Sequence, residues 1–251
     1  KVRKWGSVGF IVGVFGIGAL LEVLPISMLP VLLLCISFLA FIWSFSIKEP
    51  TTAPHSQGQL EPLLPILKKP VVAAFFGIEF ILLFSHAPFY SFYSNFLKQA
   101  GYSTTEIGFL WAVGVMAEII MFAIAHIFFK RFSWRLMVSI CLILTALRWF
   151  MVGSFPQIFA IQFFAQTIHA FSFGLFHLIA MRIIFQNFSL GQQGRGQALY
   201  STMWGLGVAS GSILAGHYWH SLSGEHIFIL AGCAVLLGLG FVRYLPKEVQ
   251  A

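Results

Sequence analysis

Long apolar segments alternate with short polar connections along almost the entire chain. Eight of these segments are each about 18–25 residues long, the length that a helix needs to cross roughly 30 Å of hydrocarbon. Because a backbone inside lipid must satisfy its own hydrogen bonds, runs of this length predict membrane helices. The predicted spans are residues 5–24, 29–47, 70–94, 105–129, 135–153, 157–181, 196–219 and 226–245.

The composition agrees with an all-α integral membrane protein. Of the 251 residues, 59% are hydrophobic and only 9% are charged, whereas soluble domains carry about 25% charged residues. The net charge of +7 does not indicate nucleic acid as a partner, because the basic residues punctuate apolar segments instead of clustering on one face.

The basic residues predict an orientation in the membrane. Of the 15 Lys and Arg, 13 belong to connections or termini that eight crossings would place on one side; the exceptions are Lys98 and Arg148. By the positive-inside rule that side is cytoplasmic, and so are both ends of the chain. We therefore expect a multi-pass protein of the cell inner (plasma) membrane, monomeric when full length.

One connection differs from the others. Residues 48–69, KEPTTAPHSQGQLEPLLPILKK, are polar and hold four prolines, which argue against a regular helix. The stretch predicts a cytoplasmic linker that separates two spans in residues 1–47 from six spans in residues 70–251.

Five stretches resemble a known transporter family. They are KVRKWGSVGF at the start, then GVMAEIIMFAIAHIFF, TALRWFMVGSF, QTIHAFSFGLFHLIAMR and SILAGHYW. Together they are similar to helices 5 and 8–11 of the major facilitator superfamily, in the oligosaccharide–proton symporter (lactose permease) branch. The pair His169 and His177 is closer to the phenylpropionate-permease relatives of that branch.

The resemblance implies a twelve-helix fold of which this chain is helices 5–12. Residues 1–47 would be the last two helices of the N-terminal six-helix half, and residues 70–251 the C-terminal half. It also implies proton-coupled symport of a small organic solute by alternating access. A chain without the first four helices is not expected to transport by itself.

Ionisable residues inside the spans are the candidate proton-coupling groups, because such residues are costly in lipid and rare without a function. Glu118 lies near the middle of its span, where a carboxyl group can bind and release a proton as water access alternates. His169 matches the histidine of the family, and His177 follows it. Packing against neighbouring helices is the alternative for the two histidines. For Glu118 the alternative is a structural clamp with Arg148 between two helices.

The candidate substrate-binding residues centre on Arg148, the one arginine well inside a predicted span. Its charge is permanent, so it needs an acidic partner, an anionic substrate or water. Arg3 matches a substrate-facing arginine of the family, although it also reads as a cytoplasmic anchor. His86, Tyr90 and Asn95 complete the set, and an aromatic belt is the alternative for this region.

The two histidines do not predict a metal site. Eight α-helical positions place His169 and His177 about 80° apart and about 12 Å along the axis, too far for one ion. Chelating pairs on helices are four residues apart. No cofactor is expected, and the chain shows no nucleophile–base set, so an intramembrane enzyme is not favoured.

The charge network of the lactose-permease type is thinned in this sequence. Its tenth-helix carboxylate falls on Ser172, its eleventh-helix lysine on Trp204, and its seventh-helix acids on Ala87 and Tyr90. An unpaired arginine among aromatic residues favours an aromatic or carboxylate solute over a disaccharide. The expected solute is therefore an aromatic carboxylate or a sugar-like compound. An uncoupled uniporter and a non-transporting scaffold or receptor of the same ancestry remain as alternatives.

Overall fold

A computed structural model describes residues 23–46 and 62–247, together with residues 9, 12–13, 16–17 and 20. The chain divides into two compact units, Lys1–Gln59 and Leu60–Ala251. The described residues form helices and connections without any strand, which confirms the predicted all-α class. The predicted span 5–24 and the predicted linker lie largely outside the described residues.

In the first unit, one α-helix is described from its first residue to its last. A 3₁₀ turn at Ile26–Met28 leads into helix α1, Leu29–Ser44, which lies within the predicted span 29–47. Pro30 lies in the first helical turn. Backbone N–H groups have no intrahelical acceptor there, so a proline, which lacks an N–H, costs no hydrogen bond. No residue of α1 is buried.

The second unit is a bundle of helices. Its α-helices are α2 (Leu63–Leu67), α3 (Pro70–Gln99), α4 (Thr104–Arg131), α5 (Trp134–Ser154), α6 (Phe159–His169), α7 (Phe176–Asn187), α8 (Gln193–Leu236) and α9 (Leu239–Val242). A π-helical segment, Ala170–Leu175, joins α6 to α7, and a 3₁₀ turn, Leu190–Gln192, precedes α8.

Helix α2 corrects one sequence prediction. Residues 48–69 were expected to contain no regular helix because of their prolines, yet Leu63–Leu67 is helical. Pro62 is the N-cap of α2 and Pro65 lies in its first turn, where backbone N–H groups lack intrahelical acceptors. Proline is therefore tolerated at both positions.

Two serines define the starts of α4 and α5. The backbone N–H of Glu106 donates to the Ser103 hydroxyl over 3.2 Å, and the backbone N–H of Ser103 donates to the Glu106 carboxylate over 2.8 Å. This reciprocal pair is a capping box. Ser133 accepts from the backbone N–H of Leu136 in the same way at the start of α5.

Helix α8 reverses direction at Ser223, whose backbone is non-helical with φ 61° and ψ 157°. Before this point α8 runs parallel to α3, since Tyr200 stacks near Phe75 and Trp219 stacks on Phe92. After Ser223 the chain runs back along α3 in the opposite direction, because Phe241 lies against Gly77, near the start of α3. The two arms correspond to the predicted spans 196–219 and 226–245.

Among the described residues, five helical stretches are long and apolar enough to cross a membrane: Pro70–Gln99, Thr104–Arg131, Trp134–Ser154, Phe159–Asn187 and Leu190–Val242. The last is 53 residues long and contains the reversal at Ser223. Each of the six spans predicted after residue 69 therefore corresponds to a described helix or arm. The total of eight spans stays a prediction.

Small residues allow the close contact between α3 and α8. A Cβ atom added to Gly207 would lie 2.7 Å from the carbonyl oxygen of Phe80. One added to Gly211 would overlap the carbonyl oxygen of Phe84. That carbonyl faces Pro88 four residues later, which has no N–H to donate to it. The glycine spacing thus serves helix packing, as is typical of membrane helices.

Candidate substrate and proton site

Arg148 lies at the centre of the bundle with none of its surface exposed. Its Nη1 lies 3.1 Å from Nδ1 of His169, and its Nη2 donates to Oε1 of Gln166 over 3.1 Å. The guanidinium carbon also lies 4.2 Å from the ring centre of Phe89 and 4.5 Å from that of Trp149. A buried cation is thus held by two neutral polar groups and two aromatic rings.

The arginine determines which nitrogen of His169 carries the proton. A guanidinium can only donate hydrogen bonds, so Nδ1 of His169 must accept. The neutral imidazole then carries its proton on Nε2, which lies 4.0 Å from Oε2 of Glu118. Glu118, His169 and Arg148 therefore form a connected set across α4, α6 and α5.

Two glycines bring α4 close to this set. A Cβ atom at Gly114 would lie 3.3 Å from Oε1 of Gln166 and 3.6 Å from Cδ2 of His169. A Cβ atom at Gly174 would lie 3.4 Å from Cγ of Glu118. Larger side chains at either glycine would separate the helices that carry the acid and the imidazole.

Two buried glutamines of the site were not among the residues predicted from the sequence. Gln162 and Gln166 are both buried on α6. Gln162 accepts from the Tyr93 hydroxyl over 3.2 Å and donates to the carbonyl of Phe155 over 3.1 Å. The signal was present in the stretch QFFAQTIH, where Gln162, Gln166 and His169 follow helical spacing along one face.

His86 and Tyr90 lie beside the Arg148 group. The ring centre of His86 is 4.8 Å from that of Trp149, 6.0 Å from that of Tyr90 and 6.4 Å from that of His169. Nδ1 of His86 donates to the carbonyl of Leu82 over 2.8 Å, while its buried Nε2 has no hydrogen-bond partner in the described part of the chain.

The remaining candidates are placed elsewhere. Nδ1 of His177 lies 3.0 Å from the hydroxyl of Tyr200, on α8. The α-helical angle expected between His169 and His177 does not apply, because Ala170–Leu175 between them is π-helical. Asn95 is exposed on α3, and Arg3 lies outside the described residues.

The positions where this sequence departs from the lactose-permease pattern adjoin the site. The hydroxyl of Ser172 donates to the backbone carbonyl of His169 over 3.3 Å. The ring of Trp204 lies 6.1 Å from that of Tyr90. The structure shows no group of three His, Cys, Asp or Glu side chains that could hold a metal ion among the residues it describes.

Comparisons with known proteins agree with this architecture. A sequence model of the family described as MFS_1 like family matches residues 1–230. The chain is also similar to the "Probable 3-phenylpropionic acid transporter" of Escherichia coli (strain K12), with 30% identity over 265 residues. That alignment covers 100% of this chain and 65% of the bacterial protein, so the chain spans less than two thirds of the length of its relative. No solved structure matches the chain.

Proposed function

The chain belongs to the MFS_1 like family, and on that premise we propose that it functions as a proton-coupled symporter of a small aromatic carboxylate in the cell inner membrane. The observation that carries the proposal is Arg148, a buried cation whose hydrogen-bond partners are the neutral side chains of His169 and Gln166. Alternating access, in which a midplane site faces one side of the membrane and then the other, is part of the proposal.

A carboxylate fits the open donors around Arg148. Nε of Arg148 and Nε2 of Gln166 are both buried and have no hydrogen-bond partner among the described residues. A buried charge without a counter-ion costs several kcal/mol, and guanidinium binds carboxylate through paired hydrogen bonds. A carboxylate substrate would satisfy these donors and neutralise the arginine at the same time.

The surrounding rings favour an aromatic body on that carboxylate. Phe89 and Trp149 flank the guanidinium, and Tyr90 and Trp204 continue the aromatic surface. Aromatic side chains contact aromatic ligands favourably in offset or edge-to-face geometry. The printed name of the Escherichia coli relative, a probable 3-phenylpropionic acid transporter, supports this substrate class.

A proton that accompanies the carboxylate would leave no net charge to cross the membrane. Glu118 is the proposed proton carrier, and His169 is the proposed link between it and Arg148. When substrate draws the guanidinium away from Nδ1 of His169, that nitrogen is free to bind a proton. Substrate binding at Arg148 and proton binding near Glu118 are then coupled through one imidazole ring. His177, bonded to Tyr200, is proposed as an auxiliary proton group.

The test is an uptake experiment in cells that express the complete gene encoding this chain. External pH and uptake of labelled 3-phenylpropionate are recorded together, with sugars and nucleosides as comparison solutes. We expect alkalinisation with the aromatic acid, and its loss in Glu118→Gln. Glu106→Gln is the matched control, because Glu106 is exposed and glutamine also serves in a capping box.

Each competing function predicts a different result of the same experiment. Uptake without a change of external pH would indicate an uncoupled uniporter. Binding of the acid without uptake would indicate a scaffold or receptor. Alkalinisation that persists in Glu118→Gln would mean that protons bind elsewhere, which contradicts the proposed role of this residue.

A further inference from the structure

Glu79, on α3, is a buried acid that the site above does not use. None of its surface is exposed, and neither carboxylate oxygen has a hydrogen-bond partner among the described residues. An ionised carboxylate without a partner is strongly disfavoured in the interior of a membrane protein. The side chain must therefore bind something that removes its charge.

The surroundings of Glu79 fit a proton better than a metal ion. A hard metal cation takes six or more oxygen ligands, and the described residues contain no cluster of potential metal ligands. The residues three and four positions before and after Glu79, which share its helix face, are buried and apolar, namely Phe75, Phe76, Leu82 and Leu83. A proton needs only one carboxylate oxygen and leaves a neutral group in this apolar environment.

Glu79 shares one face of α3 with two groups of the central site. His86 follows it by seven residues, which is two helical turns, about 20° around the axis and about 10 Å along it. Tyr90 follows Glu79 by three helical turns and lies about 20° from it around the axis, on the same face. The ring centre of Tyr90 is 6.0 Å from that of His86.

His86 is the group that can pass a proton between the two regions. Its Nδ1 donates to the Leu82 carbonyl, so its Nε2 is the open acceptor of the neutral ring. That nitrogen is buried and has no partner in the described part of the chain. The ring of His86 lies 6.4 Å from that of His169, whose Nε2 faces Glu118.

The titratable groups on the neighbouring helices form no ion pair with Glu79 in the described structure. On α8, Tyr200 stacks 6.3 Å from Phe75, one turn before Glu79. On α7, His177 is hydrogen-bonded to the same Tyr200. On α5, Arg148 is engaged with His169 and Gln166.

We propose that Glu79 is a second proton-binding site of this protein, joined to the Glu118–His169 pair through His86 and Tyr90. A proton that leaves the Glu79 carboxyl is taken by Nε2 of His86 through bridging water. It passes from there to Nδ1 of His169 once Arg148 has released that nitrogen. The inference does not depend on which solute the protein carries, and its test needs no transport.

Infrared spectroscopy of the protein expressed from the complete gene, purified into lipid nanodiscs, tests the protonated state of Glu79. At neutral pH we expect the carbonyl stretch of a buried carboxylic acid, shifted when H₂O is replaced by D₂O. Glu79→Gln should lose this band, and Glu106→Gln should keep it. Glu118→Gln identifies any second band, so the two acids are distinguished. An unchanged spectrum in Glu79→Gln overturns the proposal.

Three further variants keep the test decisive. Glu79→Asp retains an acid, so the band should move without disappearing, even if Glu79→Gln fails to fold. His86→Asn should leave the band in place and slow its shift in D₂O. His126→Asn, at an exposed histidine on α4, should have no effect. An exchange rate equal to wild type in His86→Asn overturns the connection to His169.

Discussion

Nη1 of Arg148 lies 3.1 Å from Nδ1 of His169, and this contact determines which imidazole nitrogen faces Glu118. The arginine cannot release its proton, so Nδ1 accepts and Nε2 carries the hydrogen. The permanent charge therefore acts on the acid through the ring. A substrate that competes for the guanidinium would change proton binding by the His169 ring and, through that ring, proton binding by Glu118.

Arg148→Lys keeps the charge and removes the planar fork. A lysine forms point contacts in place of paired hydrogen bonds, so we expect the half-saturating concentration of 3-phenylpropionate to rise. A hydrogen bond to a charged group contributes about 1.5–3 kcal/mol, which corresponds to roughly a tenfold to hundredfold rise. Concentration-dependent uptake by cells that express the complete gene measures it.

The control for this substitution is Arg182→Lys. Arg182 packs over the ring of Phe129 with its guanidinium carbon 4.0 Å from the ring centre, away from the Arg148 group. Uptake should match wild type in this variant. Equal effects of the two substitutions would remove the argument that Arg148 binds the carboxylate.

Gly211→Ala should destabilise the bundle, because the added methyl group overlaps the Phe84 carbonyl and the Cβ of Ala87. Overpacking of this kind costs about 1–3 kcal/mol. Thermal unfolding in detergent, followed by circular dichroism, should show a lower midpoint. Gly205→Ala is the matched control, since nothing lies within 4 Å of a Cβ there, and its midpoint should equal or exceed that of wild type.

His177 and Tyr200 should be energetically coupled through their 3.0 Å hydrogen bond. In a double-mutant cycle of His177→Leu and Tyr200→Phe, we expect a coupling of about 0.5–1.5 kcal/mol in the free energy of unfolding. A parallel cycle of His177→Leu with Tyr218→Phe should show none, because Tyr218 is exposed and packs on His217. Additivity in the first cycle would contradict the contact.

The capping box at the start of α4 predicts a measurable stability effect. Ser103→Ala removes the acceptor for the backbone N–H of Glu106 and should lower the free energy of unfolding by about 0.5–2 kcal/mol. Ser103→Asp keeps a capping oxygen and should restore most of that loss. Chemical denaturation of both variants, compared with wild type, measures the effect. Equal midpoints for Ser103→Ala and wild type would refute the cap.

The local pattern of hydrophobic residues was sufficient to predict the six long helices or arms described after residue 69, because a span depends on mean hydropathy over about 20 neighbouring residues. It also identified Glu118, Arg148 and His169, since ionisable groups stand out in apolar segments. The family resemblance was confirmed over residues 1–230. The pattern did not show the short helix Leu63–Leu67, whose prolines fall where a first turn tolerates them.

The sequence by itself thus determined the class of protein, the positions of the described helices after residue 69 and the residues with unusual chemistry. Only the tertiary structure decided which of these residues meet. Arg148 contacts His169 because α5 and α6 face each other. The π-helical segment Ala170–Leu175 then changes the helical register of the residues that follow His169. Whether a side chain is buried and whether it finds a partner depend on helices distant in sequence. For that reason the complete burial of Glu79 and the open nitrogen of His86 could not be read from the local pattern.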